Sequence, residues 1–395
     1  MAEYNFDDIR CYNDADIPSK LWPLAERPEI LGAIKAGFPD VDPEQMKALI
    51  LSCKTVKDFQ TKVILLILDM LCKKCTDGVE AYGLDQVDFT NGHLFVTNHR
   101  DIVLDSALLN YILAKSGRET SEIAIGNNLF AAPWIEDLVR VNKSFVVRRD
   151  ITGRQLLEAS MKLSAYIYKE IVENKQSIWM AQREGRSKDN SDNTQASVIK
   201  MLSLGGKTKD HMQNVRALHT IPVAISYEYD PCDYLKAAEF QLKRDNPAWK
   251  KTKADDVKSM ATGMMGYKGR VRYTFTSELN GVFDQYPWIN DRNAQVNCVC
   301  ETIDNMLHEA MVLYPINYVA YDLKYQTEYY KSKKMYTEAE KTKAAAYLND
   351  QLAKIDIPNR DEAFLWDMLL TMYSNPVFNK EKLSREQDTT FVPMT

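Results

Sequence analysis

Short apolar segments alternate with helical segments between residues 81 and 285, and this alternation constrains the fold most. It is typical of α/β layers, in which each helix returns the chain to the same end of a largely parallel sheet. We therefore predict an α/β fold, with a mostly parallel sheet flanked by helices. The predicted strands are the apolar runs at residues 94–98, 122–127, 144–149, 177–182, 220–228 and 270–278.

Helix signals lie between these strands. In segment 152–174 apolar residues recur every three or four positions, which indicates an amphipathic helix. Its apolar face is predicted to comprise Leu156, Ala159, Leu163, Ile167 and Ile171. Thr152 and Gln155 predict a capping box at its start. Another helix is predicted to begin at Asp105 and to end at Gly117.

The two ends of the chain differ from its middle. Residues 1–80 have the pattern of short helical turns separated by prolines, and residues 286–395 that of helices rich in Tyr, Lys and Glu. We therefore predict three parts: a helical N-terminal region (1–80), an α/β domain (81–285) and a helical C-terminal extension (286–395). The sequence does not indicate a role for the extension.

A histidine stands where the first predicted strand ends and a helix begins, in the sequence NHRDIVLD (98–105). Ligands of α/β proteins bind at such strand ends, and an imidazole held by a carboxylate can act as a general base near neutral pH. We therefore predict His99 as a catalytic base and Asp105 as its orienting partner. A structural alternative remains, in which His99 bonds to the loop backbone and Asp105 only caps its helix.

Two basic clusters follow the third and fourth predicted strands. They comprise Lys143, Arg148, Arg149 and Arg154, and then Arg183, Arg186 and Lys188. Neighbouring strand ends can converge on one crevice, and the planar, permanently charged guanidinium of arginine suits phosphate. Gly185, next to Glu184, would let the backbone approach a ligand closely. The alternative is that each cluster is an ordinary solvated charge run.

Charge and cysteine content exclude several classes of function. The net charge of −5 and the pI near 5.7 argue against a nucleic-acid partner, which usually requires a basic face. Cys72 and Cys75 form a C-x-x-C with no second pair at zinc-ligand spacing, so neither a metal centre nor a cofactor is predicted. An odd number of cysteines, seven, and an acidic, polar start without a signal peptide predict a cytoplasmic protein.

Taken in order, four sequence blocks resemble the glycerol-3-phosphate and lysophosphatidate (1-acylglycerol-3-phosphate) acyltransferase superfamily. That family has a His-x4-Asp block, a strand ending in Phe-x-x-Arg, a Glu-Gly-(Thr/Gly)-Arg-Ser block and an apolar strand containing Pro. The corresponding segments here are 98–105, 126–149, 183–187 and 220–231, and segment 269–279 resembles a late strand of the same domain. The resemblance covers roughly residues 80–285, which makes this part the expected catalytic domain.

The resemblance implies direct acyl transfer. His99 would deprotonate a hydroxyl of glycerol-3-phosphate or lysophosphatidate, and the oxygen would attack the thioester of acyl-carrier protein or acyl-coenzyme A. Arg149, Arg183 and Arg186 would bind the acceptor phosphate, with Arg148 as a weaker candidate and with Glu184 and Gly185 completing the third block. Transfer to another lipid acceptor, a lyso-aminolipid or a glycolipid, is the alternative within enzymes. A non-catalytic lipid-binding protein on the same scaffold is the alternative outside them.

Two blocks depart from the family pattern. Five residues rather than four separate His99 from Asp105, and the third block is one residue short between Gly185 and Arg186. The first departure leaves Asp101 as another possible partner of His99, although Asp105 stands at the helix start, as the family's Asp does. Both departures suggest a variant subfamily with one extra residue in the His…Asp block.

The predicted product carries acyl chains, which predicts work at the cytoplasmic face of a membrane. No apolar stretch approaches the roughly 20 residues of a membrane span. The predicted contact is the apolar run 63–68 followed by Lys73 and Lys74, since an apolar face flanked by lysines suits an anionic interface. The alternative is that this run packs beneath the sheet.

Overall fold

A seven-stranded sheet forms the centre of the computed structural model, which describes residues 4–130, 132–286 and 288–389. Its order is β1-β7-β6-β2-β5-β3-β4. The strands are β1 Val79–Tyr82, β2 Leu94–Thr97, β3 Glu122–Gly126, β4 Ser144–Val147, β5 Ile178–Ala181, β6 Ile221–Tyr227 and β7 Val271–Phe275. Strands β2 to β6 run parallel, β7 pairs antiparallel with β6, and β1 pairs parallel with β7. The predicted fold class is therefore confirmed, and each of the six predicted strands is present.

Two apolar layers cover the sheet. On one face α6 (Leu65–Cys75) and α7 (Leu104–Lys115) pack through residues such as Leu68 and Leu109 against strand residues such as Phe95. On the other face α9 (Gly153–Tyr168), α10 (Ala196–Leu202) and α15 (Arg292–Ala310) pack through residues such as Ile167 and Ile303 against the opposite sides of the same strands. The helices of the α/β part are α7 Leu104–Lys115, α8 Pro133–Val141, α9 Gly153–Tyr168, α10 Ala196–Leu202, α11 His211–Arg216, α12 Asp233–Asp245, α13 Lys253–Met265 and α14 Asn280–Phe283.

Helix α9 matches the predicted helix, with two corrections. Thr152 occupies the N-cap position but makes no side-chain capping bond, so the predicted capping box with Gln155 is wrong. The reason is Gly153, whose φ of +60° turns the chain just as the helix begins. Leu156, predicted on the buried face, is 45% exposed, because only the later turns of α9 reach the sheet.

The N-terminal region is helical, as predicted. Its helices are α1 Ile17–Lys20, α2 Trp22–Ala25, α3 Pro28–Gly37, α4 Pro43–Leu51, α5 Val56–Asp58 and α6 Leu65–Cys75. A π-helical segment, Phe59–Ile64, joins α5 to α6. Val63 and Leu68 are buried in apolar clusters, and Leu66 is the one exposed side chain of residues 63–68. The predicted membrane contact at this run is therefore wrong, because the run packs as core.

The C-terminal extension is also helical over its described residues, and residues 390–395 lie outside them. Its helices are α15 Arg292–Ala310, α16 Pro315–Lys324, α17 Tyr329–Ser332, α18 Glu338–Ala353 and α19 Glu362–Thr389. Helices α16, α18 and α19 share one apolar cluster with α12 of the α/β part, so the extension is attached through a continuous core. None of the helices in the described residues is long and apolar enough to cross a bilayer.

Candidate active site

The turn after β2 brings His99 against Asp105. His99 Nδ1 lies 2.8 Å from Asp105 Oδ2, and Asp105 is fully buried in the first turn of α7. The His99 side chain is 14% exposed, so the ring remains accessible from the crevice at the carboxyl end of β2. The predicted pair therefore forms at the predicted place.

Asp105 accepts hydrogen bonds from three further donors. Its Oδ2 accepts from the backbone N–H of Arg100 at 2.6 Å and of Asp101 at 3.0 Å, and its Oδ1 accepts from the Tyr227 hydroxyl at 3.1 Å. Because both carboxylate oxygens are acceptors, we assign the proton between the two side chains to His99 Nδ1. This tautomer leaves His99 Nε2 free to accept a proton.

Asp101 has a different role. Its Oδ1 accepts from the backbone N–H groups of Val103 and Leu104, both at 2.8 Å, and so caps the start of α7. Burial, and then the nearby charge of Asp105, raises the pKa of the Asp101 carboxyl above its ordinary value. Of the two acids, it is thus Asp101 that caps the helix and Asp105 that contacts the imidazole. The extra residue between His99 and Asp105 lies in this capped turn.

The segment after β5 lies directly beside His99. The Ser187 backbone N–H donates to the His99 carbonyl at 2.9 Å, which joins the third sequence block to the first. Arg183 Nε and Arg186 Nη1 are buried and have no hydrogen-bond partner among the described residues. Gly185 is exposed and has a φ of +68°, so the backbone can turn here without a Cβ clash. Two unsatisfied guanidinium nitrogens therefore lie one strand away from His99.

Arg186 is the more buried of these two arginines, with 8% exposure. Its electrostatic neighbours include Asp101, Asp230 and Glu239. These carboxylates compensate its buried charge, so Arg186 is attached to the turn that carries Asp101 as well as to the crevice.

The structure separates the remaining basic residues. Arg149 Nη1 lies 2.7 Å from Glu184 Oε1, which ties the end of β4 to the segment after β5. The other members of the basic clusters pair elsewhere: Arg148 with Asp8, Lys143 with Glu119, Arg154 with Glu158 and Lys188 with Glu239. Lys143 precedes β4, so it lies at the end of the sheet where the parallel strands begin, opposite to the end that carries His99. Hence Arg149 is joined through Glu184 to the segment that carries Arg183, Gly185 and Arg186, whereas Arg148 turns away to Asp8.

Sequence reasoning missed three residues around this site. Tyr227, which contacts Asp105, ends a strand that looked like core alone. Arg100 and Asp192 form a buried ion pair with N–O distances of 2.9 and 2.6 Å. Arg100 is adjacent to His99 in sequence, and that adjacency was the available signal; Asp192 lies in a polar loop that carries none.

A cleft of about 150 Å³ lies between α6 and α7, away from His99. Its lining comes from side chains within residues 57–68 and 107–123 and from Asn142, and it includes neither His99 nor Asp105. The described residues contain no group of three or more side chains that could hold a metal ion.

One known family matches the part of the chain that contains His99 and Asp105. Residues 78–225, which contain the His99 turn and the segment after β5, match the model of the Acyltransferase family. No curated relative matches the chain. Among solved structures, the 1-acyl-sn-glycerophosphate (LPA) acyltransferase PlsC from Thermotoga maritima is similar, with 11% identity and a TM-score of 0.36 over 72% of this chain and 95% of that chain. The protein is an acyltransferase, with its acyltransferase domain on residues 78–225.

Proposed function

We propose that the protein transfers a fatty acyl group from an acyl thioester to a hydroxyl of glycerol-3-phosphate or lysophosphatidate, as a step of phospholipid synthesis. The donor is acyl-carrier protein or coenzyme A carrying the acyl chain. The observation that carries the proposal is the His99–Asp105 pair at 2.8 Å, one strand away from two arginines with unsatisfied nitrogens. A base beside a cation site fits an acceptor that carries both a hydroxyl and a phosphate.

The proposed reaction uses His99 twice. Nε2 takes the proton of the acceptor hydroxyl as its oxygen attacks the thioester carbonyl. When the tetrahedral intermediate collapses, the C–S bond breaks and the thiolate takes the same proton from Nε2. Asp105 stabilises the imidazolium between these steps. The products are an ester and a free thiol, with no acyl-enzyme.

The decisive experiment is incubation of the purified full chain with acyl-coenzyme A or acyl-carrier protein and a panel of acceptors. Glycerol-3-phosphate, lysophosphatidate, a lyso-aminolipid and a glycolipid would be compared, and the products identified by mass. Acylation of the two phosphorylated acceptors supports the proposal. Acylation of other acceptors alone would reject the phosphorylated acceptor and keep the acyltransfer.

One observation favours the lyso-aminolipid as a second acceptor class. Glu184, whose side chain is 67% exposed, stands in the arginine cluster and neutralises Arg149. An exposed carboxylate suits an amine-bearing head group better than a phosphate. The acceptor panel distinguishes the two classes directly.

Arg183→Ala and Arg149→Ala are expected to raise the KM for the phosphorylated acceptor more than the KM for the donor. Each change removes a charge-assisted hydrogen bond worth about 1.5–3 kcal/mol, which corresponds to a change in KM of roughly ten- to a hundredfold. Steady-state kinetics with each substrate varied in turn measures both constants.

The matched control is Arg154→Ala, because Arg154 is 91% exposed and pairs with Glu158 on its own helix. Its KM values should stay those of the parent protein. A rise in the donor KM alone for Arg183→Ala would assign the cluster to the phosphates of the donor instead.

Since run 63–68 is core, we propose that the protein meets the cytoplasmic membrane surface through another surface, on the outer side of α9. Leu156, Leu157 and Met161 are 45%, 55% and 42% exposed there. Leu204 is 41% exposed in the turn that packs on α9 at Ser164, through a bond from Gly205 N–H to Ser164 Oγ. This α9 surface is defined by Leu156, Leu157, Met161 and Leu204.

The charges beside the α9 surface complement an anionic bilayer. Lys207 and Lys209 are exposed in the same turn as Leu204, and the described residues offer them no ion pair. The acids nearest in sequence are engaged, Glu158 with Arg154 and Asp210 as the N-cap of α11. Exposed apolar side chains next to free lysines are what interfacial binding requires.

Leu157→Ser combined with Met161→Ser is expected to abolish sedimentation with phosphatidylglycerol vesicles and to leave the melting temperature unchanged. Both side chains are already largely exposed, so folding buries little of them. Val257→Ser on α13, 51% exposed and outside the α9 surface, is the matched control and should still sediment. Normal sedimentation of the double variant would exclude the α9 surface.

A further inference from the structure

The loop that follows the arginine segment is held in an unusual backbone conformation. Asn190 and Asp192 have φ values of +58° and +50°, and their residues are 6% and 0% exposed. Asn and Asp adopt this left-handed conformation more readily than other side chains do, so the backbone itself carries little strain. Both side chains are buried, however, so their hydrogen-bond partners must lie inside the protein.

This loop holds the residue that follows the proposed base. Asp192 accepts two bonds from the Arg100 guanidinium, at 2.9 and 2.6 Å, and Asn190 Oδ1 accepts a third at 2.5 Å. The Arg100 backbone N–H donates to Asp105 at 2.6 Å. Arg100 therefore connects the loop to the turn that joins His99 and Asp105.

A proline in the last helix provides an attachment point for the loop. Pro376 lies inside α19 and has no N–H, so the carbonyl of Met372, four residues earlier, lacks its helical donor. Asn190 Nδ2 donates to this Met372 carbonyl at 2.9 Å. The loop thus supplies the hydrogen bond that the helix cannot make for itself.

Two further side chains of α19 bind the same loop. Asn375 Nδ2 donates to the Asp189 carbonyl at 2.7 Å, and Asn379 Nδ2 donates to the Ser191 carbonyl at 3.2 Å. A cavity of about 20 Å³, lined by Arg100, Asn190 and Pro376 among others, lies where the loop, the helix and the His99 turn meet. The contacts come from successive turns of one helix and reach consecutive residues of one loop.

We propose that α19 is a positioning element for His99, acting through Asn190, Asp192 and Arg100. The inference rests on the proposed role of His99 and gives the C-terminal extension a function that its sequence does not indicate. The extension fixes the loop that holds Arg100, and Arg100 keeps Asp105 at hydrogen-bond distance from the His99 ring.

The test is Pro376→Ala in the full chain. Alanine supplies the missing N–H, so α19 can close its own bond to Met372 and displace Asn190. Removing a proline from a helix interior keeps or raises the melting temperature. We expect kcat to fall on the order of tenfold, because a small misplacement of a catalytic group is costly, while KM for both substrates stays unchanged. A purely structural role of Pro376 would not lower kcat in a protein that is equally or more stable.

Leu348→Ala is the matched control. Leu348 is fully buried in the core of the extension, and α18 makes no hydrogen bond to residues 189–192 in the described part of the chain. Its melting temperature should fall, whereas kcat, measured well below that temperature, should not. If Pro376→Ala retains the parent kcat, the positioning role is rejected.

A second measurement needs no substrate. The ring signals of His99, assigned by comparison with His99→Gln, are followed by NMR in Pro376→Ala and in Asp192→Asn, which weakens the Arg100 pair. We expect them to move in both variants and to stay in place in Leu348→Ala. Unmoved signals in both variants overturn the inference, even if no acceptor of the panel is acylated, so the failure of the proposed function and the failure of this inference can be distinguished.

Discussion

His99→Ala is expected to lower kcat for acyl transfer by roughly a hundred- to ten-thousand-fold, the usual contribution of a general base. The His99 side chain is partly exposed in a turn, and its one described side-chain bond is to Asp105. Its removal should therefore change the melting temperature little. Single-turnover kinetics with saturating donor and acceptor measures the chemical step, and thermal unfolding checks the fold.

The matched control for this prediction is His219→Asn. His219 lies before β6, at the end of the sheet where the parallel strands begin, whereas His99 lies where β2 ends. The φ of His219 is +45°. Asparagine tolerates that backbone conformation, so this variant removes an imidazole without adding strain. It should retain the parent rate. A folded His99→Ala protein with the parent rate would remove His99 from the mechanism.

The strands were predictable because burial on both faces leaves a continuous apolar run. β2, β5 and β6 each consist of such an apolar run, and the bounds of the predicted runs match those of the strands within a residue or two. β1 was missed because it lies at the edge of the sheet, where most of its side chains are exposed. An edge strand without an apolar face carries little periodic signal.

The run 63–68 shows that hydrophobic periodicity does not reveal what an apolar helix face packs against. An apolar helix face looks the same whether it meets lipid or another helix, because both bury it. The structure places Val63 and Leu68 in apolar clusters, so the partner is the protein. Leu156 of α9 was predicted on the buried face for the same reason, although it is 45% exposed.

Sequence spacing brought His99 and Asp105 together, since a helix must begin after β2 and Asp105 stands at its start. It could not separate Arg148 from Arg149. These neighbours point to opposite sides of a strand, Arg148 toward Asp8 and Arg149 toward Glu184. Asp8 is distant in sequence, so no local pattern predicts its ion pair with Arg148. Likewise, Asn190 and Asp192, which bind the Arg100 guanidinium, lie far from it in the sequence.

Comparison of Asp105→Asn with Asp101→Asn tests which acid serves His99. Asp105→Asn is expected to lower kcat on the order of a thousandfold, because a neutral amide cannot stabilise the imidazolium that forms at His99 when Nε2 takes the proton. Four hydrogen bonds converge on this carboxylate, so the position of the side chain should persist and only its chemistry should change.

Asp101→Asn should have a much smaller effect on kcat. Asparagine caps a helix about as well as aspartate, so the bonds from Val103 and Leu104 can be kept. The loss of the Asp101 charge weakens the compensation of the buried Arg186 charge, so the change should appear mainly in the acceptor KM. Both variants are compared by kcat, by the KM of each substrate and by melting temperature. If Asp101→Asn is the slower of two equally stable proteins, Asp101 rather than Asp105 supports the base during turnover, and the extra residue in the block has exchanged the roles of the two acids.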